Sequence, residues 1–512
     1  MVISKSEFMM FLKHPAWLWL KKYDKDKLPM PDDALQALFD EGSLFEQYAE
    51  KLFKGAVKLG YKNGNDFSGS KYYALPKLTV EEIEKGTNII LQGRVEAENI
   101  TAIFDVLERV SDKVYDLYEI KSSTSVKPEH IPDLAFQTIV LEGRGFSVRN
   151  IYVLHVNNKY VRQGRIDSSL ITQKTDVTAE VRDSLDETKD NIQRALKILE
   201  EKKMPDISPR HLKQGGEIFE EWLKILQLIK GKLPNYSIYK LCVPDPKTVA
   251  WLEDNGIELL KDIPLDGPLT EKQLRQVEAI KSGVQHINVE EIKNFLNELK
   301  YPLYFLDYET LAGVIPAFDG YRPYQQVPFQ YSLHILDKPE GKLTHKEYLH
   351  TENSDPVPSL LKHLQDDFGG KSLPTGRQGS IISWYMTFEK SRNTEMGKVQ
   401  PKYEKFLAGL NDRMVDLMVP FSKGWFVDKD FFGRASIKSV LPALLPDFSY
   451  KKLNISEGGQ AQRVWMQTVL GEKNTKDKVK IMDDLREYCN LDTYAMYLIF
   501  KYLGERVSKL SK

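Results

Sequence analysis

YPLYFLDYETL, residues 301–311, is an apolar and aromatic run that carries two carboxylates, Asp307 and Glu309, near its end. A run of this kind bounded by polar residues reads as a buried strand. Side chains two apart on a strand leave from one face, so both acids lie within reach of a common ion. Without a cation to join them they repel. Moving outward, FQYSLHIL (329–336) is a second strand and SLLKHLQDDF (359–368) a helix. The loop GGKSLPTGRQGS (369–380), dense in Gly and Pro, leads into the strand IISWY (381–385), after which helices dominate to the C-terminus. Strands followed by alternating strand and helix predict an α/β layer fold with a mixed sheet.

Further acids stand at informative places. In LREYCNLDTYAMYLIFKYL (485–503), a helix, Tyr488 and Asp492 are four residues apart and share a face. SWYMTFEKSR (383–392) puts Glu389 just after a strand, and MVDLMVPF (414–421) puts Asp416 in an apolar setting, where a charge calls for a partner. Taken in order, D-x-E on the first strand, an acid after Phe388 and Y-x-x-x-D on the last helix resemble the DnaQ-like 3′–5′ exonucleases of the RNase H-like fold, tyrosine subtype, over about residues 299–506.

The resemblance implies that Asp307, Glu309, Glu389 and Asp492 hold two divalent metals while Tyr488 positions the attacking water. Mg²⁺ or Mn²⁺ would suit these hard oxygen ligands, and two ions about 4 Å apart stabilise the attacking and leaving oxygens of phosphodiester hydrolysis. The sequence departs from the family at Glu389, where Asp preceded by Asn is usual; Asp416 is a candidate substitute ligand. GRASIKSVLPALLP (433–446) resembles the segment after the family's middle motif, so Ser436 at a helix start and Lys438 are candidates to meet a phosphate. The alternative for that pair is a surface cap and a solvated lysine.

The N-terminal half reads differently. FMMFLKHPAWLWLKK (8–22) and ALQALFDEGSLFEQYAEKLFKGAVKLG (34–60) have helical spacing, whereas NIILQGRVEAENITAIFDVLERV (88–110) and KVYDLYEIKSS (113–123) are strand-rich around a Ser111-Asp112-Lys113 turn. IPDLAFQTIVLEGRG (131–145) is a helix and VRNIYVLHVN (148–157) a buried strand. Glu119 and Lys121 share a strand face, and hairpin pairing brings Asp105 toward Glu119. With Glu46 on the early helix and Gln137 on the later one, these residues resemble the RecB-like branch of PD-(D/E)XK nucleases, from about Ser4 to Asn157. The resemblance implies that Asp105, Glu119 and Glu46 belong to a metal site, that Lys121 orients or activates water and that Gln137 holds the geometry. ISKSEFMMFLKHPAWLWL (3–20) also resembles the start of CRISPR-associated RecB-like nucleases, yet the cysteines of that group are missing and the usual Tyr four residues after the Gln is Leu141.

Composition bounds the rest. The 512 residues are 41% hydrophobic and 28% charged, a soluble globular usage with room for about three domains. Lys and Arg number 72 against 73 Asp and Glu, so any nucleic-acid surface must be a local patch. Only two cysteines are present, Cys242 and Cys489, without metal-ligand spacing, so no iron–sulfur cluster is expected. Neither a signal peptide nor a membrane span is legible, and a cytoplasmic protein without membrane partners is expected.

The expectation is an α/β and α+β multidomain chain: a restriction-endonuclease-like mixed sheet with helices (1–175), a helical spacer (176–298) and an RNase H-like α/β domain (299–512). A bacterial family that couples these two parts is similar in arrangement. The leading function is a metal-dependent nuclease acting on DNA or RNA, with a 3′–5′ exonuclease centre near the C-terminus and a second nuclease centre near the N-terminus. The alternative is a nucleic-acid-binding or scaffolding protein with one or both sites decayed; a carboxylate-pair glycosidase is a poorer third.

Overall fold

A strand that is apolar at nearly every position needs cover on both faces, and Leu303–Leu311 has it. In the computed structural model, which describes residues 1–60, 62–63, 66–67, 69–201, 203–213, 215–369, 379–471 and 477–511, this strand is the centre of a five-stranded sheet. Residues 370–378 of the Gly- and Pro-rich loop lie outside the described residues. The protein is of mixed α/β class, 51% helical with several mixed sheets. It divides into two compact units: Met1–Leu233 with Asp245–Ala250 and Val314–Tyr324, and Pro234–Pro244 with Trp251–Gly313 and Gln325–Lys512. The stretch 176–298 is mostly helical, and it is shared between the units.

The first unit begins with helices α1 (Lys5–Lys13), α2 (Pro15–Tyr23) and α3 (Asp33–Ala49). Ser4 and Glu7 form a reciprocal capping box that starts α1. Strands follow: β1 (Val57–Lys58), β2 (Ile89–Leu91), β3 (Arg94–Ala97), β4 (Ile100–Ile103), β5 (Val106–Ser111) and β6 (Val114–Lys121), then α4 (His130–Gly143), β7 (Ser147–Val156), β8 (Thr172–Asp176) and α5 (Leu185–Glu200). The main sheet has the order β8-β7-β6-β5-β2-β1, with β7 parallel to β6 and β5 antiparallel to it. Residues 88–110, one apolar stretch in sequence, become four short strands in two sheets, because Gln92 and Glu98 at positive φ turn the chain. The core joins Phe8, Phe104, Leu117, Phe136 and Ile151, with the Phe8 and Phe136 rings stacked at 4.8 Å. Ile192, Ala195 and Leu199 of α5 close it from the helical stretch.

In the second unit, α6 (Glu271–Ser282) starts on the Thr270–Gln273 capping box, whereas Asn288 caps its helix from one side only. The sheet is β9 (Leu303–Leu311), β10 (Val327–Leu336), β11 (Leu343–Leu349), β12 (Ile381–Ser383) and β13 (Met414–Asp416), in the order β11-β10-β9-β12-β13. β10 and β11 pair antiparallel and β12 and β13 parallel. The edge strand β11, LTHKEYL, has a mostly polar sequence, which hid it from a hydrophobic-pattern reading. Gly379 lets β12 reach β9: a Cβ there would stand 1.7 Å from the Pro302 carbonyl oxygen. The helices of this unit include α7 (Val357–Asp367), α8 (Met386–Val399), α9 (Ile437–Leu444), α10 (Gly458–Trp465) and α11 (Lys478–Leu510). α11 packs on β9 and β10, with Phe305 fully buried and 5.9 Å from both Tyr497 and Phe500. Burial of one such ring contributes roughly 1.5–3 kcal/mol, and this contact fixes the long helix over the carboxylates of β9.

Candidate functional site

Asp307 and Glu309 near the end of β9, Lys438 on α9, Gly458 at the start of α10, and Tyr488 and Asp492 on α11 line one cleft of about 360 Å³. Trp384 and Phe388 form its apolar wall. The four-residue step on α11 turns Tyr488 and Asp492 to the same side, as the helix period requires. The Tyr450 hydroxyl donates to Asp492 Oδ1 at 2.6 Å, and the Tyr488 ring lies 6.2 Å from that of Tyr450. Lys438 Nζ donates to the Ser456 carbonyl at 2.7 Å and stands 5.5 and 5.3 Å over the rings of Tyr450 and Tyr488. Gly458 places the start of α10 beside the acids: a Cβ there would be in ordinary contact, 3.5 Å from Glu309 Oε2 and 4.0 Å from the Tyr488 hydroxyl.

Charge in the cleft is strongly unbalanced. Burial, followed by repulsion from Asp492 and the other acids, drives the Asp307 and Glu309 carboxyls well above their ordinary range. Burial lifts Asp492 to about 6 despite the Tyr450 hydrogen bond that favours its charge. Burial lifts Glu389 to about 8, with Asp416 adding to it. Glu389, in the first turn of α8, lies behind the cleft rather than in its lining; it is 2% exposed, and its Oε2 has no hydrogen-bond partner among the described residues. Four carboxyls under such strain, one with an orphaned buried oxygen, suit hard divalent cations that would neutralise them.

Asp416, the candidate substitute ligand, has another occupation. Its carboxylate accepts from the amides of Tyr385 at 3.0 Å, Met386 at 3.2 Å and Met418 at 2.9 Å, clamping the start of α8 beside Tyr385 at φ +69°. Ser436 precedes α9 and is exposed, with its hydroxyl 2.9 Å from that of Ser439 and outside the cleft lining. Cys489, to which sequence spacing assigned nothing, brings its Sγ within 4.8 Å of the Asp307 and Glu309 oxygens. Burial and those carboxylates push its thiol well up, so it is held neutral.

The first unit gathers a second set of charges. Asp105 just before β5 accepts from the Ile120 amide on β6 at 2.7 Å. Lys121 Nζ donates to Glu119 Oε1 at 2.8 Å and to Asp133 Oδ2 at 2.7 Å, and Lys5 Nζ reaches the same Glu119 oxygen at 2.8 Å. Gln137 Nε2 bridges Glu119 at 2.8 Å and Asp133 at 3.0 Å. Gln92 hydrogen-bonds Glu46. Burial, then repulsion by Glu119, raises the Asp105 carboxyl well above its usual range, and Glu46 adds to it. For Glu119 and Asp133 burial pushes upward, but the two ammonium groups outweigh it and hold both carboxyls low. Thus Asp105, Glu119, Lys121 and Gln137 come together, with Glu46 near Asp105.

Sequence reading passed over Lys5, Asp133 and Tyr450. Asp133 had a signal, since it lies one helical turn before Gln137. Lys5 and Tyr450 had none, because only the tertiary structure brings them across separations of 114 and 42 residues.

A family described as a domain of unknown function, DUF2779, matches residues 304–436, an interval that takes in Asp307, Glu309, Glu389 and Asp416 and stops before Tyr488 and Asp492. Two curated relatives are the uncharacterized protein MG366 of Mycoplasma genitalium, 26% identical over 230 residues, and its homologue of Mycoplasma pneumoniae, 24% identical over 229. Each alignment covers 42% of this chain and 34% of the relative, so the chain spans about a third of the length of the curated relatives it matches.

Proposed function

We propose that the protein is a metal-dependent nuclease that hydrolyses nucleic-acid phosphodiester bonds, with a 3′–5′ exonuclease centre in the cleft of the second unit. The observation that carries this is the convergence of Asp307, Glu309 and Asp492, from two elements far apart in sequence, in one cleft with Tyr488. Glu389 is close enough for its charge to act on Asp307. These four acids would hold Mg²⁺ or Mn²⁺, which supplies charge stabilisation for the attacking and leaving oxygens. The phenol of Tyr488 is driven far above its ordinary range, first by burial and then by Asp492, so it stays protonated and orients a water by hydrogen bonding. Lys438 is the cation available to a phosphate oxygen at the cleft. Trp384 and Phe388 offer apolar surface to a terminal base.

No helix among the described residues is long and apolar enough to cross a membrane. The proposed partners are DNA or RNA, and the proposed setting is the cytoplasm. For the first unit we propose a second PD-(D/E)XK-type nuclease centre with Asp105, Glu119, Lys121 and Gln137. One observation favours a decayed, binding-only role there: Lys5 and Lys121 both contact Glu119 Oε1 at 2.8 Å, leaving that oxygen already neutralised. End-labelled single-stranded and duplex DNA and RNA, incubated with Mg²⁺, Mn²⁺ or chelator, test both centres. Metal-dependent shortening from the 3′ end that Asp307→Asn abolishes is the expected result. Absence of cleavage under every metal condition would overturn the nuclease reading.

A further inference from the structure

The chain as a whole carries a net charge of −1, so a surface for a polyanion has to be local. One cavity of the second unit concentrates positive charge. It measures about 360 Å³, and Lys272, Arg275, Lys423 and Arg434 line it against a single acid, Glu271. Arg275 is seated rather than loose. One guanidinium nitrogen donates to the Lys423 carbonyl at 2.6 Å, the other pairs with Glu271, and the group lies so close to Gly424 that a Cβ there would stand 2.2 Å away. Gly424 at φ +70° is favoured by its own left-handed backbone, and it leaves room for the guanidinium beside it. Trp425, half-buried, contributes an aromatic face with the Lys423 ammonium 5.1 Å over it.

This cavity adjoins the acid cleft. Trp384 of the cleft wall stacks at 5.5 Å on Phe421, which lines the cavity. The segment from Arg434 in the cavity runs directly to Ile437 and Lys438 in the cleft, and three residues of chain span at most about 11 Å. A polymer with one phosphate at each step and a flat base between steps matches several cations lining a cavity with an aromatic face, and base stacking on such a face tolerates any sequence. An acidic peptide would use the cations and leave the aromatic face and the neighbouring carboxylate cleft unexplained.

We propose that the cavity formed by Lys272, Arg275, Lys423, Trp425 and Arg434 is a binding subsite for single-stranded nucleic acid whose 3′ end lies in the acid cleft. The inference rests on the nuclease reading of that cleft and adds its substrate class and the path of the chain. Phosphate contacts hold the strand without reading its sequence, so binding falls with salt.

The test measures binding by fluorescence anisotropy, with full-length protein in chelator and 5′-fluorescein oligonucleotides from dinucleotide to dodecamer. Wild-type affinity should rise with length as the strand reaches the cavity. Lys272→Glu with Lys423→Glu should weaken dodecamer binding tenfold or more, flatten the dependence on length and reduce the salt slope by about 1.4, the share of two phosphate contacts on a single strand. Should that pair fail to fold, Lys272→Gln with Lys423→Gln is measured in its place, with the same slope change. Equal affinity and slope in wild type and variant, no binding by the wild type, or equal competition by a poly-glutamate peptide would overturn the proposal. Hydrolysis with Mn²⁺ is scored separately. Lysine-dependent binding without any hydrolysis retains the subsite and removes the nuclease reading, whereas hydrolysis with binding indifferent to both lysines does the reverse.

Discussion

Tyr450→Phe removes one hydroxyl from the candidate site and leaves the ring beneath Lys438 in place. The lost bond is the 2.6 Å donation to Asp492 Oδ1, made to a buried carboxylate. A hydrogen bond to a charged group is worth about 1.5–3 kcal/mol, equivalent to roughly one to two pKa units. Asp492, already lifted by burial to about 6, should therefore move to about 7 or 8 in the variant. A cation must find this carboxylate ionised. At pH 6 the ionised fraction falls from about a half to about a tenth or a hundredth, so apparent Mn²⁺ affinity should drop roughly 5- to 50-fold, while at pH 9 the two proteins should bind almost alike. The assay is a Mn²⁺ titration of thermal stability at both pH values, since binding to the folded state raises the melting temperature by linkage. Identical midpoints for wild type and variant at pH 6 would refute the reasoning, as would a loss of equal size at pH 6 and pH 9.

Three further outcomes are expected. Asp307→Asn should remove most of the thermal stabilisation by Mg²⁺ or Mn²⁺, which for the wild type is about 2.7 kcal/mol at a hundredfold excess over the dissociation constant; an unchanged shift means the acids hold no ion. Glu389→Gln should flatten the pH dependence of the metal-free protein: with its carboxyl raised from 4.5 to about 8, the folded state binds the extra proton, so stability falls as pH rises across that window. Melting scans at pH 5 and pH 8 check it, and the variant should gain more at pH 8. Lys5→Met breaks contacts of 2.8 Å to Glu119 and 3.4 Å to Asp133, and leaving those buried acids short of a cation should cost roughly 3–5 kcal/mol in denaturant melts at pH 7. Because the Asp133 carboxyl is held below its ordinary 3.8, that loss should persist down to this pH and shrink only beneath it as the acid takes a proton.

Some of this was legible in the residues alone. The apolar run of 301–311 dictated a buried strand, the spacing of two put Asp307 and Glu309 on one face, and the spacing of four did the same for Tyr488 and Asp492, because these periods belong to the backbone itself. The mixed α/β class followed from the same patterns. The polar edge strand β11 escaped, since one exposed face and a free edge leave no apolar signature. Only the tertiary structure decided which groups share a cleft. Tyr450 reaches Asp492, Cys489 joins the carboxylates and Lys5 clamps Glu119 through contacts between elements distant in sequence. It likewise gave Asp416 to three backbone amides and left a Glu389 oxygen without a partner among the described residues, because the same carboxylate chemistry becomes a clamp where N–H groups face it and a strained acid where they do not. Residue type and spacing set what each side chain can do; packing sets the dielectric and the neighbours, and with them the charge each one carries.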